Sequence, residues 1–343
     1  MQINLSALEA NNYSKNNIAR CFDNTTQEII ILPTEKCNFR CSYCYEDFTI
    51  GKMKPWLIKS INKFIANRVK NIKHLSLSWF GGEPLLAKKI CLEIIEKAYN
   101  NCKLNDVSIS GSFTTNGYLL TNELVEKLAE FHHANFQITL DGSMDEHNKT
   151  RVLANGKETF KKIWSNIINL KNSDINFNIT LRLHISHQNY FSMKRLVQSI
   201  SKTMGKDKRF DVHFHKITNL GGPNTTNLTI LDGKKYSDIV DEFQNILNIN
   251  YNSELSLHKD RNICYAAKPN SILVRADGRI GKCTVAFDNP QNTIGNFNTD
   301  GTININNNKL QPWLKGFDSA NPHTLSCPVT ALNDNNDIKV KII

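Results

Sequence analysis

The sequence predicts an α/β fold: six βα units that build a parallel sheet, followed by a small C-terminal module of short strands and turns. Three observations carry this. Apolar runs rich in β-branched residues alternate with stretches of helical period, the pattern of a parallel sheet with helical crossovers. Short polar motifs follow several of these runs, at the edge where parallel βα folds gather their sites. Beyond about residue 220 the alternation stops, and Asn, Gly and Thr become frequent.

Taken in order, residues 1–24 form an N-terminal segment and residues 25–225 the βα domain. Its predicted strands are EIIILP (28–33), HLSLSWF (74–80), VSISGSFTT (107–115), NFQITLD (135–141), FNITLRLHI (177–185) and FDVHFHKI (210–217). Helices are expected between them near 55–70, 85–103, 122–132, 157–171 and 189–203. Residues 226–255 read as a linker with a helix near 234–248. Residues 256–343 form the C-terminal module, where ADGRIGKC and FNTDGTININ are hairpin signals.

Composition bounds the function. With 343 residues and 40% hydrophobic content, the chain can bury a substantial core. Its first 20 residues hold no apolar core of a signal peptide, and no run of 18 apolar residues occurs, so a cytoplasmic protein without a membrane partner is expected. In that reducing compartment nine cysteines do not read as a disulfide framework, and grouped ones point to metal or cluster ligation. The excess of positive charge lies in residues 1–220, with 30 Lys and Arg against 20 Asp and Glu. Such a field suits an anionic ligand, an acidic protein or nucleic acid. Equally, Lys59, Lys63, Lys70 and Lys73 fall on predicted helix exteriors, where a solvated basic surface explains them.

The stretch KCNFRCSYCYEDF places Cys37, Cys41 and Cys44 in one short loop after the first strand and supplies no fourth cysteine. Three thiolates suit a cluster of four irons and four sulfides, each binding one iron and leaving the fourth open for chemistry. A closed zinc site, the competing reading, usually presents a second cysteine pair downstream.

This C-x3-C-x2-C spacing, with aromatic Tyr43 before the last cysteine, resembles the radical S-adenosylmethionine (SAM) superfamily. Three further motifs match in order: GGEP (Gly81, Gly82, Glu83, Pro84), TTNG (Thr114–Gly117) and TLDGSMDEHNKTR (Thr139–Arg151). Alone, GGEP is a turn before a helix and TTNG an ordinary loop. Together they imply a partial (β/α)6 barrel holding a [4Fe-4S] cluster on Cys37, Cys41 and Cys44. The resemblance implies that the GGEP backbone and the Glu83 carboxylate hold the methionyl ammonium of SAM, while Thr115, Asn116, Thr139, Asp141 and Arg182 contribute to the same cofactor site. His147 would fix the loop of the fourth-strand motif. Cys91 and Cys102 read as helix packing residues, and His213 and His215 share one strand face that could line the barrel mouth, although a structural role is the expected one for each.

The spacing Cys264-x13-Gly278-x4-Cys283 resembles the opening of the SPASM and twitch modules of peptide-modifying radical SAM enzymes. The pattern then departs. Only Cys327 follows, and Asn333 stands where another cysteine is expected. The resemblance implies one auxiliary iron-sulfur cluster on Cys264, Cys283 and Cys327, its fourth ligand being His323, Cys21, substrate or none; the alternative is a degenerate module with buried thiols. It also implies a ribosomally made precursor peptide as substrate and an electron donor such as flavodoxin or ferredoxin.

Cyclophane formation, a carbon–carbon crosslink, is the expected reaction, with formylglycine generation on sulfatases and thioether formation as alternatives. Thr284 stands where sulfatase-maturing relatives carry an aspartate, although Asp288 is a possible substitute. Only about 25 residues precede the first strand, so a leader peptide is expected to dock on the barrel, the module or a separate protein. An RNA-modifying enzyme would use the basic region to grip phosphates, but no added RNA-binding domain is evident. A non-enzymatic iron-sulfur sensor would leave GGEP and TTNG without purpose.

Overall fold

The computed structural model describes residues 3–221, 230–247 and 260–332. The chain opens with two helices, α1 (Leu5–Ala10) and α2 (Lys15–Phe22), capped by the side chains of Asn4 and Ser14. Both pack on the C-terminal part of the chain. Leu8, Ile18 and Cys21 share a buried cluster with Ile263, Phe317 and Leu325, and the Asn4 N–H donates to the Phe317 carbonyl at 3.2 Å.

The βα region follows as β1 (Thr26–Ile31), β2 (Phe39–Cys41), α3 (Pro55–Arg68), β3 (His74–Trp79), α4 (Lys88–Leu104) and β4 (Ser108–Thr115). Next come α5 (Asn122–Ala129), β5 (Asn135–Leu140), α6 (Met144–Thr150), β6 (Arg151–Leu153), α7 (Phe160–Lys171), β7 (Asn178–Ile185), α8 (Tyr190–Met204) and β8 (Phe210–Lys216). All six predicted strands form and pair in parallel, in the order β1-β3-β4-β5-β7-β8. The five expected helices are α3, α4, α5, α7 and α8. Short β2 and β6 form a separate antiparallel ribbon that three-residue segments do not announce in sequence.

Alternation along the strands separates two faces. Leu75, Leu77 and Trp79 of β3 are buried toward the helices, whereas His74, Ser76 and Ser78 line the half-exposed inner face. On the helix side Trp79, Phe113 and Phe136 sit at matched register positions, their rings stacked 5.7 and 5.8 Å apart. Burying each such side chain contributes about 1.5–3 kcal/mol, so the ladder pins the register of three strands.

The C-terminal part continues with α9 (Gly233–Leu247), β9 (Ser271–Val274), β10 (Arg279–Gly281), β11 (Gly295–Phe297), β12 (Ile303–Ile305), α10 (Asn307–Ser319), α11 (Pro322–Ser326) and α12 (Val329–Leu332). Both expected hairpins are present, as β9–β10 and β11–β12. They do not make a sheet of their own. β9 pairs in parallel with β1, Glu28 against Ser271, and the four strands extend one sheet to ten. The division drawn near residue 256 therefore separates sequence patterns but not the sheet. Of the expected linker, α9 packs on α8, where Glu242 accepts from Tyr190 Oη at 2.6 Å and meets Lys194 at 2.7 Å. Residues 222–229 and 248–259, and Asn333, lie outside the described residues.

Gly111 of β4 marks one tight point, since a methyl group there would overlap the buried His133 ring. The ring is held by Nδ1 against the Phe131 carbonyl at 2.6 Å, and among the described residues its Nε2 has no hydrogen-bond partner. We expect Gly111→Ala to destabilise the fold by about 1–3 kcal/mol, the usual range for overpacking, measured by urea unfolding. Burial lowers the His133 pKa to about 4. Between the ordinary value of about 6.5 and this one, the unfolded chain binds the extra proton, so stability falls as pH drops through that window. The difference in unfolding free energy between wild type and His133→Gln should therefore shrink from pH 7 to pH 4; a constant difference would contradict the assignment.

Candidate functional site

Parallel strands end on a common edge, so the loops that leave them must meet. Here they enclose a cavity of about 240 Å3. A larger hollow of about 590 Å3 opens at the opposite strand ends, lined by Tyr99, Asn135 and Asn178, and contains none of the clustered motif residues.

Cys37, Cys41 and Cys44 all line the smaller cavity. The Cys44 N–H donates to the Cys41 carbonyl at 3.1 Å, and the Phe39 N–H donates to Cys37 Sγ at 3.3 Å, which curls the loop so that the thiols open on one space. Burial pushes all three thiols up, Cys44 to about 11. Without a bound cationic centre they are thiols, and a metal centre supplies the charge that makes them thiolates.

The second-strand turn lies directly on this loop. A methyl group at Gly82 would come within 2.7 Å of the Lys36 carbonyl, and one at Gly81 would overlap the Thr34 oxygen; Gly81 also has φ +112°. Glycine is required at both for backbone to touch backbone. The Glu83 N–H completes the contact by donating to Lys36 O at 3.1 Å.

The Glu83 carboxylate turns toward the protein interior. It is fully buried and does not line the cavity. Oε1 accepts from the Leu85 N–H at 2.9 Å and from Thr115 Oγ1 at 2.7 Å, and Oε2 accepts from the Asn116 N–H at 2.7 Å. Burial raises its pKa against the pull of these three donors. Pro84 likewise is buried off the cavity, opening a single helical turn, Pro84–Ala87. What the second strand end presents to the cavity is Phe80, Gly81 and Gly82.

Thr115 and Asn116 do line it, and Asn116 Nδ2 donates to Asn38 Oδ1 at 2.8 Å, tying the third-strand turn to the cysteine loop. Thr139 and Arg182 also line it, opposite one another in the β5–β7 register. Asp141 stands behind the wall. It accepts from Tyr43 Oη at 2.9 Å and Thr150 Oγ1 at 2.7 Å. Burial works to raise its pKa, but His184, Arg151 and His147 hold it well below the carboxylate range. Asp141 thus positions Tyr43, which faces the cavity. His147, its pKa lowered to about 3 by burial, accepts from the Asp141 N–H at 3.4 Å and sits 3.2 Å from Thr159 Oγ1.

Sequence reasoning missed His184, which lines the cavity and lies between Tyr43 Oη (3.2 Å) and Arg182 Nε (3.0 Å). Its signal was available: two residues after Arg182 on a strand shares that residue's face. Of the two histidines on β8, His215 lines the cavity and His213 is exposed. Cys91 and Cys102 are buried packing residues of α4.

Tyr45 and Glu46, just after the cysteine loop, also line the cavity, and the C-terminal part contributes Thr284 and Val285. Tyr45 Oη donates to the Thr284 carbonyl at 2.9 Å. A buried pair fastens this wall to the cysteine loop: Arg275 donates to both Glu35 oxygens, at 3.1 and 2.5 Å. Asp288 is exposed and outside the cavity.

Cys264, Cys283 and Cys327 lie outside this cavity but within electrostatic reach of one another; burial first, then the two other thiols, push Cys264 up to about 11. Cys21 sits in the apolar cluster under α2, its thiol donating to Asn17 O at 3.3 Å, and His323 is exposed. Among the described residues no three His, Cys, Asp or Glu side chains converge closely enough for a single ion. Three thiols that each bind a different iron are the ligand pattern of an iron-sulfur cluster, and the residue types at Cys37, Cys41 and Cys44 suit it.

Fold and site together define a partial α/β barrel whose strand-end loops bring three thiols to one cavity. Residues 31–200 match the model of the radical SAM superfamily, and this segment of the chain belongs to it. Membership implies a [4Fe-4S] cluster and SAM. The cysteine-type anaerobic sulfatase-maturating enzyme of Clostridium novyi (strain NT) is 32% identical over 157 residues, 43% of this chain and 40% of that protein. The chain thus matches about two fifths of the length of that relative. Among solved structures, native anSMEcpe with bound AdoMet superposes with a TM-score of 0.62 at 21% identity, covering 82% of this chain and 79% of the other. Streptococcus suis SuiB bound to precursor peptide SuiA gives 0.55 at 14% identity, covering 92% and 73%. At these identities the superpositions speak for the fold.

Since Glu83 satisfies three buried donors, Glu83→Ala should cost at least about 3 kcal/mol in the iron-free protein, read by urea unfolding. Glu83→Gln, which retains an acceptor, should cost less.

Proposed function

We propose that this chain is a radical SAM enzyme that matures a ribosomally made peptide. The observation that carries this is the single cavity shared by the three-thiol loop, the glycine turn and the C-terminal wall of Thr284 and Val285. Cys37, Cys41 and Cys44 would hold the cluster. The backbone of Gly81 and Gly82, with Thr115, Asn116, Thr139 and Arg182, offers the polar surface for SAM. When bound, the cluster and SAM supply a 5′-deoxyadenosyl radical that takes a hydrogen atom from substrate. The chain orients that chemistry and shields it from water; Tyr43, held by Asp141 and Arg151, and Phe39 close the side of the cavity next to the cysteines.

Within peptide maturation a cyclophane crosslink is our reading. The C-terminal wall offers Thr284 and Val285, and Asp288 is exposed outside the cavity, so no acid comes from that wall; the carboxylate that does line the cavity is Glu46, beside the cysteine loop, whose pKa burial raises to about 8. The crosslink removes two hydrogens from the peptide, one as the abstracted atom and one as a proton, with one electron passing to an acceptor. An auxiliary cluster on Cys264, Cys283 and Cys327 is the proposed acceptor, and a flavodoxin or ferredoxin the proposed donor to the first cluster. Formylglycine formation is the second reading, favoured by the sulfatase-maturating relative.

Iron analysis of anaerobically reconstituted protein tests the scheme. Cys37→Ala/Cys41→Ala/Cys44→Ala should lose about four irons per chain and retain those of the C-terminal set. Wild type should convert SAM to 5′-deoxyadenosine and the triple variant should not. With a candidate peptide, a mass loss of two hydrogens and fragment ions interrupted between two residues would support the crosslink. An aldehyde-reactive product would instead establish the oxidation.

A further inference from the structure

Arg151 is a buried cation with an incomplete set of partners. Only 7% of the residue is exposed, and it lines the cavity with the three thiols. Nη1 donates to Tyr43 Oη at 2.7 Å, a neutral phenol. Among the described residues Nε is buried with no hydrogen-bond partner and no carboxylate makes an ion pair with the guanidinium. Taking a guanidinium out of water is unfavourable unless an anion offsets the loss. Asp141, the ionised group nearest in the network, reaches Arg151 only through Tyr43 Oη, which leaves the side of the guanidinium toward the thiols open to a further anion.

The β2–β6 ribbon shows where that anion belongs. Arg151 and Cys41 are direct register partners, so their side chains share one face of the ribbon, and a slip of one residue would turn Arg151 away. The guanidinium also lies over the Phe39 ring, at 5.7 Å from its centre, which keeps water from that side. Burial opposes the Arg151 charge, and the ionised Asp141 and the hydrogen bond to Tyr43 support it; reciprocally, Arg151 acts first against the burial that pushes the Cys41 thiol up.

We propose that Arg151 is a positioning residue that sets the potential at which a cluster held by Cys37, Cys41 and Cys44 accepts its electron. One-electron reduction adds one negative charge beside Cys41, and a fixed cation in a poorly screened site stabilises the more negative state. The inference rests on the reading that these cysteines hold the cluster, and iron content of the wild type tests that reading separately.

The experiment is an EPR-monitored redox titration, with dithionite as the one-electron donor, of anaerobically reconstituted wild type, Arg151→Gln and Arg151→Lys. Iron content is measured on each sample, and thermal unfolding on the iron-free proteins. Arg151→Gln should load iron and be about tenfold harder to reduce, a shift of about 59 mV to more negative potential for one electron. Arg151→Lys, which keeps the charge but loses the planar fork, should stay within about threefold of wild type in the same equilibrium. An Arg151→Gln protein that holds its iron at the wild-type potential overturns the proposal. So does an Arg151→Lys protein shifted tenfold, whatever the glutamine variant does. Lower thermal stability with an unmoved potential assigns Arg151 a purely structural role and overturns it as well. A wild type without iron removes the underlying reading instead.

Discussion

The site depends on one buried carboxylate. Glu83 leaves the second strand and accepts hydrogen bonds from the turn that ends the third, while its own N–H donates to the cysteine loop that ends the first. Three strand ends are thereby held at fixed separation. The contact is possible only because Gly81 and Gly82 carry no side chain where the turn meets the Thr34–Lys36 backbone. A carboxylate with three donors in a water-free setting is strongly directional. Its geometry determines where Gly81, Gly82 and the thiols meet around the cavity.

Electrostatics build outward from that frame. Asp141 is kept ionised behind the wall, and Tyr43, Thr150 and His184 are arranged around it. Arg182 reaches the cavity from β7 and Arg151 from the ribbon, so two cations line a cavity shared with thiols that burial keeps protonated, and Arg151 acts on Cys41 directly. The balance suits a bound group that brings charge of its own.

The C-terminal part belongs to the same construction. β9 takes its place beside β1, and Arg275, just beyond β9, reaches Glu35 two residues before the first cysteine. The wall of Thr284 and Val285 is thus aligned by backbone pairing and by a buried ion pair at once. α1 and α2 brace the far side through the apolar cluster shared with α10.

Much of this was legible in the chain. Alternating β-branched and helical stretches determined six parallel strands, and the cysteine spacing, GGEP, TTNG and DG motifs determined which strand ends carry the site. These signals are local, because periodicity and turn chemistry act over a few residues. The sequence did not disclose that Glu83 turns into the protein, that His184 joins Arg182 at the wall, or that β2 and β6 pair across more than 100 residues to set Arg151 beside Cys41. Nor did it disclose that β9 extends the barrel sheet. Each of these is a choice among distant partners, made by burial and hydrogen-bond satisfaction once the strands have assembled. The residue types for the chemistry were therefore determined by sequence alone, and which of them face the cavity was decided by the tertiary fold.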